Sequence, residues 1–203
     1  GGQTLIVNRH TSALRVPAEK YVKLSRHFQF EGSLQSTAQN LSRNLVGQVA
    51  NIINIPHIFY GSSIKKGSVK LKFFITGSLI GECSDHRFNG ELVETTGSRV
   101  GQVVGVVMYD EGLMVLTGSH SITTGGPQIK YDGTSVLSDP RWTHFGAGAN
   151  DGVSELTLAS ASFQVEALGT ADTQVMTMLC HAKRGELNHS NNMTSYDSAS
   201  AGS

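Results

Sequence analysis

Eight histidines and two cysteines are the side chains of this 203-residue protein best suited to chemistry. Cys83-Ser84-Asp85-His86 and Cys180-His181, with His189 beyond them, carry the thiolate and imidazole ligands of a tetrahedral zinc site, provided the two segments meet. No Cys-x-x-Cys pair and no His-Glu-x-x-His run supports that assembly, and isolated Cys and His in a turn-rich β chain read as structural. Ser119-His120-Ser121 sets two hydroxyls beside an imidazole. A triad is built in space, however, and no Gly-x-Ser-x-Gly strand-to-helix elbow presents a nucleophile here. Asp110 and Glu111 are adjacent carboxylates in a turn, whereas glycoside hydrolysis needs two carboxyl groups facing each other across a cleft. The glycine-flanked Lys65-Lys66 loop, Gly61 to Ser68, lacks the lysine after the second glycine that a phosphate-binding loop requires, and no helical pattern follows it. Gly146-Ala147-Gly148-Ala149-Asn150-Asp151-Gly152 falls short of dinucleotide and calcium-repeat signatures and reads as a loop. The expectation is a protein that is not an enzyme, with no catalytic residue, no metal and no cofactor.

Composition points the same way. Sixteen basic residues balance sixteen acidic ones, so the chain as a whole offers no field that would draw in nucleic acid or an anionic membrane. The basic cluster before residue 33 (Arg9, His10, Arg15, Lys20, Lys23, Arg26 and His27) reads as a solvated surface. No apolar run approaches the roughly 20 residues that a membrane-spanning helix needs. Two cysteines are too few for a disulfide framework, and both are expected as free thiols. Twenty-three glycines without a collagen period mark turns and bulges.

The elements that would position these residues are mostly strands. Val103 to Tyr109 and Leu113 to Thr117 are two nearly continuous apolar runs around Asp110-Glu111-Gly112. That pattern predicts a hairpin covered on both faces, with Gly112 at positive φ in its turn. On this reading Gly112→Val costs on the order of 1 kcal/mol or more in strain, and Glu111→Ala is nearly neutral. Val69 to Thr76 alternates, with Val69, Leu71, Phe73 and Ile75 on one face and Lys70 and Lys72 on the other. A strand ending Ser78-Leu79-Ile80 precedes a polar connection, Glu82 to Ser98, which holds the Asn89-Gly90 turn and a short strand at Glu91 to Glu94. Ser162 to Leu168 and Gln174 to His181 also alternate, and Gly169 to Asp172 between them predicts a second hairpin. Leu34 to Ile53 carries apolar residues at helical spacing and must end before Pro56. Trp142 reads as a packing anchor that seats its loop.

Four stretches carry a resemblance: Ile55 to Val69 (Ile-Pro-His-Ile-Phe-Tyr-Gly-Ser-Ser-Ile-Lys-Lys-Gly-Ser-Val), Asn89-Gly90-Glu91-Leu92, Gly105 to Gly112, and Gly185-Glu186-Leu187-Asn188-His189-Ser190-Asn191-Asn192. Together they resemble virion structural proteins of tailed bacteriophages, especially large contractile-tailed marine ones, over roughly residues 55–196. Met193 stands where similar proteins often carry a proline. The resemblance implies a subunit of the tail, baseplate or neck, located in the virion and assembled in the host cytoplasm. Its expected partners are other virion proteins and further copies of itself, with no membrane and no specific nucleic acid. The fold expected is mainly β, an antiparallel sandwich-like domain with extended arms and at most one substantial helix. It divides into an arm at 1–54, a core at 55–184 and a polar tail at 185–203. Within the tail, Glu186, Asn188, His189, Asn191 and Asn192 offer donors and acceptors but little apolar area, and are expected to contact a neighbouring subunit. Two competing expectations are a receptor- or glycan-binding module that stacks sugars on Trp142, Tyr131 and Phe145, and a small metal-dependent hydrolase.

Overall fold

The Asp110-Glu111-Gly112 turn joins two neighbouring strands of an antiparallel sheet, with Gly112 at φ +66°. The computed structural model describes residues 13–30, 48–126, 128–130, 137–147 and 161–181. Helix α1 (Arg15–Tyr21) comes first. The strands follow in chain order as β1 (Asn51–Asn54), β2 (Ser63–Ile64), β3 (Lys70–Ile75), β4 (Ser78–Ser84), β5 (Glu91–Thr96) and β6 (Val103–Met108), then β7 (Leu113–Leu116), β8 (Ile129–Lys130), β9 (Leu137–Ser138), β10 (Ala161–Glu166) and β11 (Gly169–Thr170). Seven of them form one sheet in the order β1-β7-β6-β5-β4-β3-β10, while β11 pairs with β2 and β8 with β9. The protein is mainly β and antiparallel, as its alternating runs predict. No described helix is long and apolar enough to cross a membrane.

The sheet curls. Register shifts fall between Phe73 and Phe74, between Glu82 and Cys83, and between Leu92 and Val93, one in each of three successive strand pairs. Each extra residue bends its strand and adds local twist. Both edges of the sheet thereby reach the same segment. The Asn51 side-chain amide of β1 donates to the Phe145 carbonyl, and the Phe163 ring of β10 lies 4.9 Å from the Phe145 ring. Trp142, fully buried, sits against Gly81 of β4, where a Cβ would come within 3.2 Å of the indole. The tryptophan is thus a packing anchor, and its loop closes the curl of the sheet over Leu71, Phe73, Val104, Met114 and Leu116.

Burial follows the strand patterns. In β3 the residues Leu71, Phe73 and Ile75 are buried while Lys70 points to solvent, and β6 is buried almost throughout. Burying a Leu, Phe or Val side chain stabilises by about 1.5–3 kcal/mol, so this double-sided hairpin is the main source of cohesion. Helix α1 packs its buried Ala18 and Tyr21 into the same core. The Tyr21 hydroxyl donates to Glu111 at 2.6 Å and accepts the Asp110 backbone N–H at 3.0 Å, which fastens the N-terminal segment to the tip of the hairpin.

Three expectations need correction. The helix expected over Leu34 to Ile53 does not extend to its end: Asn51–Asn54 is strand β1, because Ile52 and Ile53 pair with Val115 and Met114 and gain a ladder there; residues 34–47 lie outside those described. The polar connection expected from Glu82 to Ser98 is largely strand, since β4 continues to Ser84 and β5 runs on to Thr96. The C-terminal hairpin does not form. Strand β10 pairs with β3, and Gly169–Thr170, read as a turn, is instead a strand on β2. Residues 174–181 carry no ladder among the described residues.

The chain divides into two units, 1–172 and 173–203. The boundary thus falls well before the tail expected at 185. At the other end, β1 and α1 belong to the sheet domain and are not a separate arm.

Candidate functional site

The chemistry-bearing side chains of the core are spent on holding loops. Glu94 of β5 is fully buried. One of its carboxylate oxygens accepts the Trp142 indole N–H and the His120 Nε2–H, each at 2.8 Å, and the other accepts the Arg99 backbone N–H at 2.6 Å. A carboxylate can only accept, so the His120 proton on this contact sits on Nε2. Burial alone would push the Glu94 carboxyl up, but these donors outweigh it and hold it below the usual range. The arrangement is a clamp: one buried anion ties β5, the turn at Arg99, the His120 loop and the Trp142 loop together.

The serine–histidine neighbours take no nucleophilic geometry from this. His120 is committed to Glu94, and among the described residues no hydrogen bond joins it to a serine hydroxyl. The Ser121 hydroxyl donates to Asp139 at 2.9 Å, and the Ser98 hydroxyl donates to the Ser121 carbonyl. A second buried set links Glu91 to the Ser25 hydroxyl at 2.5 Å and to Arg87 at 2.7 Å, joining the N-terminal segment to β5.

Asp85 stands apart. It is fully buried after β4, and one carboxylate oxygen accepts the Tyr109 hydroxyl at 2.6 Å. The other oxygen has no hydrogen-bond partner. Burial raises its carboxyl above the ordinary value in spite of the Tyr109 hydrogen bond and a contribution from the Gly67 amide. Burial and the Asp85 contact together push the Tyr109 phenol up. A raised carboxyl means that the folded state takes up a proton before the unfolded chain does, so its penalty applies above the folded pKa and disappears as pH falls below the unfolded one. Asp85→Asn keeps an acceptor for Tyr109 and removes the buried charge. We expect it to match or exceed the parent by up to about 1 kcal/mol at pH 7, with the difference shrinking at pH 4. Urea denaturation of both proteins at the two pH values measures this, and a less stable variant at pH 7 would contradict it.

The metal ligands considered from sequence do not gather in the described residues. Cys83 is buried in the sheet opposite Leu71 and Glu94, and burial pushes its thiol up. The His86 ring meets the Ser84 hydroxyl at 3.2 Å. Cys180 and His181 are exposed in the second unit, and no group of three or more His, Cys, Asp or Glu able to hold a metal ion occurs among the described residues. His189 and the tail residues Glu186, Asn188, Asn191 and Asn192 lie outside those described.

The aromatic platform expected for glycan binding is corrected as well. Trp142 and Phe145 are buried, since both rings pack over the curled sheet; Tyr131 lies outside the described residues. Lys66 of the Lys65-Lys66 loop lies over the Tyr109 ring, 5.8 Å from its centroid. Asp110 and Glu111 are turn residues that Lys20 also reaches, at 2.8 and 3.5 Å.

Besides single exposed residues such as Val16, Val49, Phe88, Val100 and Leu168, two stretches expose neighbouring apolar side chains. Ile58 and Phe59 protrude on the short 3-10 turn that follows Pro56. In the second unit Val175, Met176, Met178 and Leu179 are 80–95% exposed. The sequence shows this second run plainly, but the strand expected there carries no ladder among the described residues. Compared with family models, with curated proteins and with solved structures, the chain finds no match.

Proposed function

We propose that this chain is a structural subunit of a tailed-bacteriophage virion, in the tail, baseplate or neck, whose work is to hold neighbouring subunits. The observation that carries this reading is the uncovered apolar area. A sheet domain whose buried acids, histidine and tryptophan are used internally nevertheless leaves Ile58 and Phe59 in solvent, and in the second unit Val175, Met176, Met178 and Leu179 are exposed. Clustered exposed apolar surface of this kind marks contact with another protein. The resemblance of Ile55 to Val69 and of Gly105 to Gly112 to virion proteins supplies the setting, and the first of these segments carries the Ile58-Phe59 protrusion.

A map of the intact particle tests it. The expected result is this chain in fixed copy number, with Ile58, Phe59 and residues 175–179 against other subunits. A chain missing from purified particles would overturn the proposal. A distal position with those side chains facing solvent would favour the receptor-binding alternative.

A further inference from the structure

Among the described residues β10 has no strand on its outer side and 174–181 carry no ladder, and we propose that the two pair between copies of this chain, with the arm of one molecule adding a strand beside β10 of the next. The inference rests on the reading of the protein as an assembly subunit and names the contact that would carry self-association.

The arm has the makeup of a strand. Val175, Thr177 and Leu179 alternate with Met176, Met178 and Cys180, and no Asp, Glu, Lys, Arg or Pro interrupts Gln174 to His181. Proteins protect exposed strands with charge or proline against adventitious pairing. This segment lacks both and leaves four large apolar side chains in solvent, so strand addition would bury them without desolvating a charge.

The connection between β10 and the arm is engaged elsewhere. A β10–arm hairpin would need Ala167 to Thr173 as its loop. Those residues are already engaged: the Lys65 N–H donates to the Leu168 carbonyl and the Ser62 N–H to the Thr170 carbonyl, each at 2.7 Å, and the Thr170 N–H donates to the Tyr60 carbonyl at 3.0 Å. The Asp172 N–H is held by the Ser62 hydroxyl, also at 3.0 Å. The residues that would make that turn are held on β2 and its flanks.

The acceptor is on the same chain. Strand β10 ends the seven-stranded sheet, with β3 on one side and no strand on the other among the described residues. Ala161, Phe163 and Val165 pair with Ile75, Phe73 and Leu71 and so continue the core row, yet Val165 is 41% exposed where the sheet stops. An added strand extends that row and covers Val165, and its main chain satisfies the free edge, as in other strand-addition contacts. Because donor and acceptor differ, the contact is head-to-tail, and such contacts propagate into rings or filaments.

Sedimentation velocity on the full chain tests the proposal with two variants that each disable one half. Val175→Glu/Leu179→Glu places charge in the arm, where side chains are exposed and the core fold has no stake. Gln164→Pro removes a backbone donor from β10; far-ultraviolet circular dichroism confirms that this variant is folded, and Val165→Lys replaces it should it unfold. The parent is expected to associate with increasing concentration, and each variant to lose association at least tenfold. A mixture of the arm variant and the edge variant should recover one-to-one dimers, because each supplies the half that the other lacks. A monomeric parent, or variants that associate as the parent does, would overturn the inference. Association through the arm in a protein missing from particles would defeat the virion reading and leave this one standing, whereas normal particle incorporation of both variants would do the reverse.

Discussion

Glu94→Leu is expected to destabilise the protein by about 4 kcal/mol and Glu94→Gln by about 2 kcal/mol, since each buried donor left without an acceptor costs about 1–3 kcal/mol. Three donors depend on this carboxylate: the Trp142 indole, the His120 imidazole and the Arg99 amide. Leucine strands all three. Glutamine retains one acceptor oxygen but turns an NH2 toward a donor, so it should lose less. For a domain of this size each kcal/mol lowers the melting temperature by roughly 2–4 °C, which puts the leucine variant near or beyond a 10 °C loss. The acid limb separates this from simple loss of packing. A carboxyl held below its unfolded value contributes stability above the unfolded pKa and loses it as pH falls through the folded one, so the gap between parent and Glu94→Gln should close in acid. Guanidinium denaturation across pH measures both effects. A glutamine variant within about 0.5 kcal/mol of the parent at pH 7, inside the usual range of surface changes, would show that the clamp is not a stability element.

The same residue marks the limit of what pattern reveals. Strand β3 and the β6–β7 hairpin are legible because their apolar residues alternate or run on, and periodicity is what sequence displays best. Glu91 to Glu94 hides its burial. Two acids at its ends suggest an exposed edge, yet both are buried, because Ser25, His120 and Trp142 arrive from distant segments to satisfy them, with Arg87 four residues upstream of Glu91. No local signal announces such partners. The strand character of Gly169–Thr170 was hidden for a related reason: glycine, threonine and an aspartate nearby have turn chemistry, and only the approach of β2 makes a ladder of them. Ile52-Ile53 shows the converse error, in which helical spacing upstream ran into residues whose β-branched side chains pack on β7. Trp142 was readable as an anchor from its size alone, though its Glu94 acceptor was not. The run Gln174 to His181 alternates like a strand but carries no ladder among the described residues, and the turn expected before it is taken up by β2.

The second large effect falls at the hairpin tip, where Gly112→Val should cost about 3 kcal/mol or more. Positive φ is one part, since an L side chain in the left-handed region costs roughly 1–2 kcal/mol. Crowding is the other. A Cβ at Gly112 would press on the Tyr60 ring and come within 2.7 Å of the Ile55 carbonyl oxygen, and overpacking of this kind costs about 1–3 kcal/mol. The Ile55 N–H donates to the Gly112 carbonyl at 2.9 Å, and the Tyr60 hydroxyl donates to the Asp110 carbonyl at 3.3 Å. Displacing the tip therefore also loosens the stretch after β1. Glu111→Ala, near-neutral on sequence grounds, takes a larger value in this setting. It removes the acceptor for the Tyr21 hydroxyl, a cost of about 1 kcal/mol, and weakens the docking of α1. The order of melting temperatures should be parent, then Glu111→Ala, then Gly112→Val. Tyr21→Phe should cost more than Glu111→Ala, because it also strands the Asp110 N–H, and the double variant should add little to Tyr21→Phe alone, because both remove the same hydroxyl–carboxylate bond. Additive losses in that pair would mean that helix and hairpin are not joined through this contact. A Gly112→Val protein as stable as Glu111→Ala would contradict the crowding at Tyr60 and Ile55.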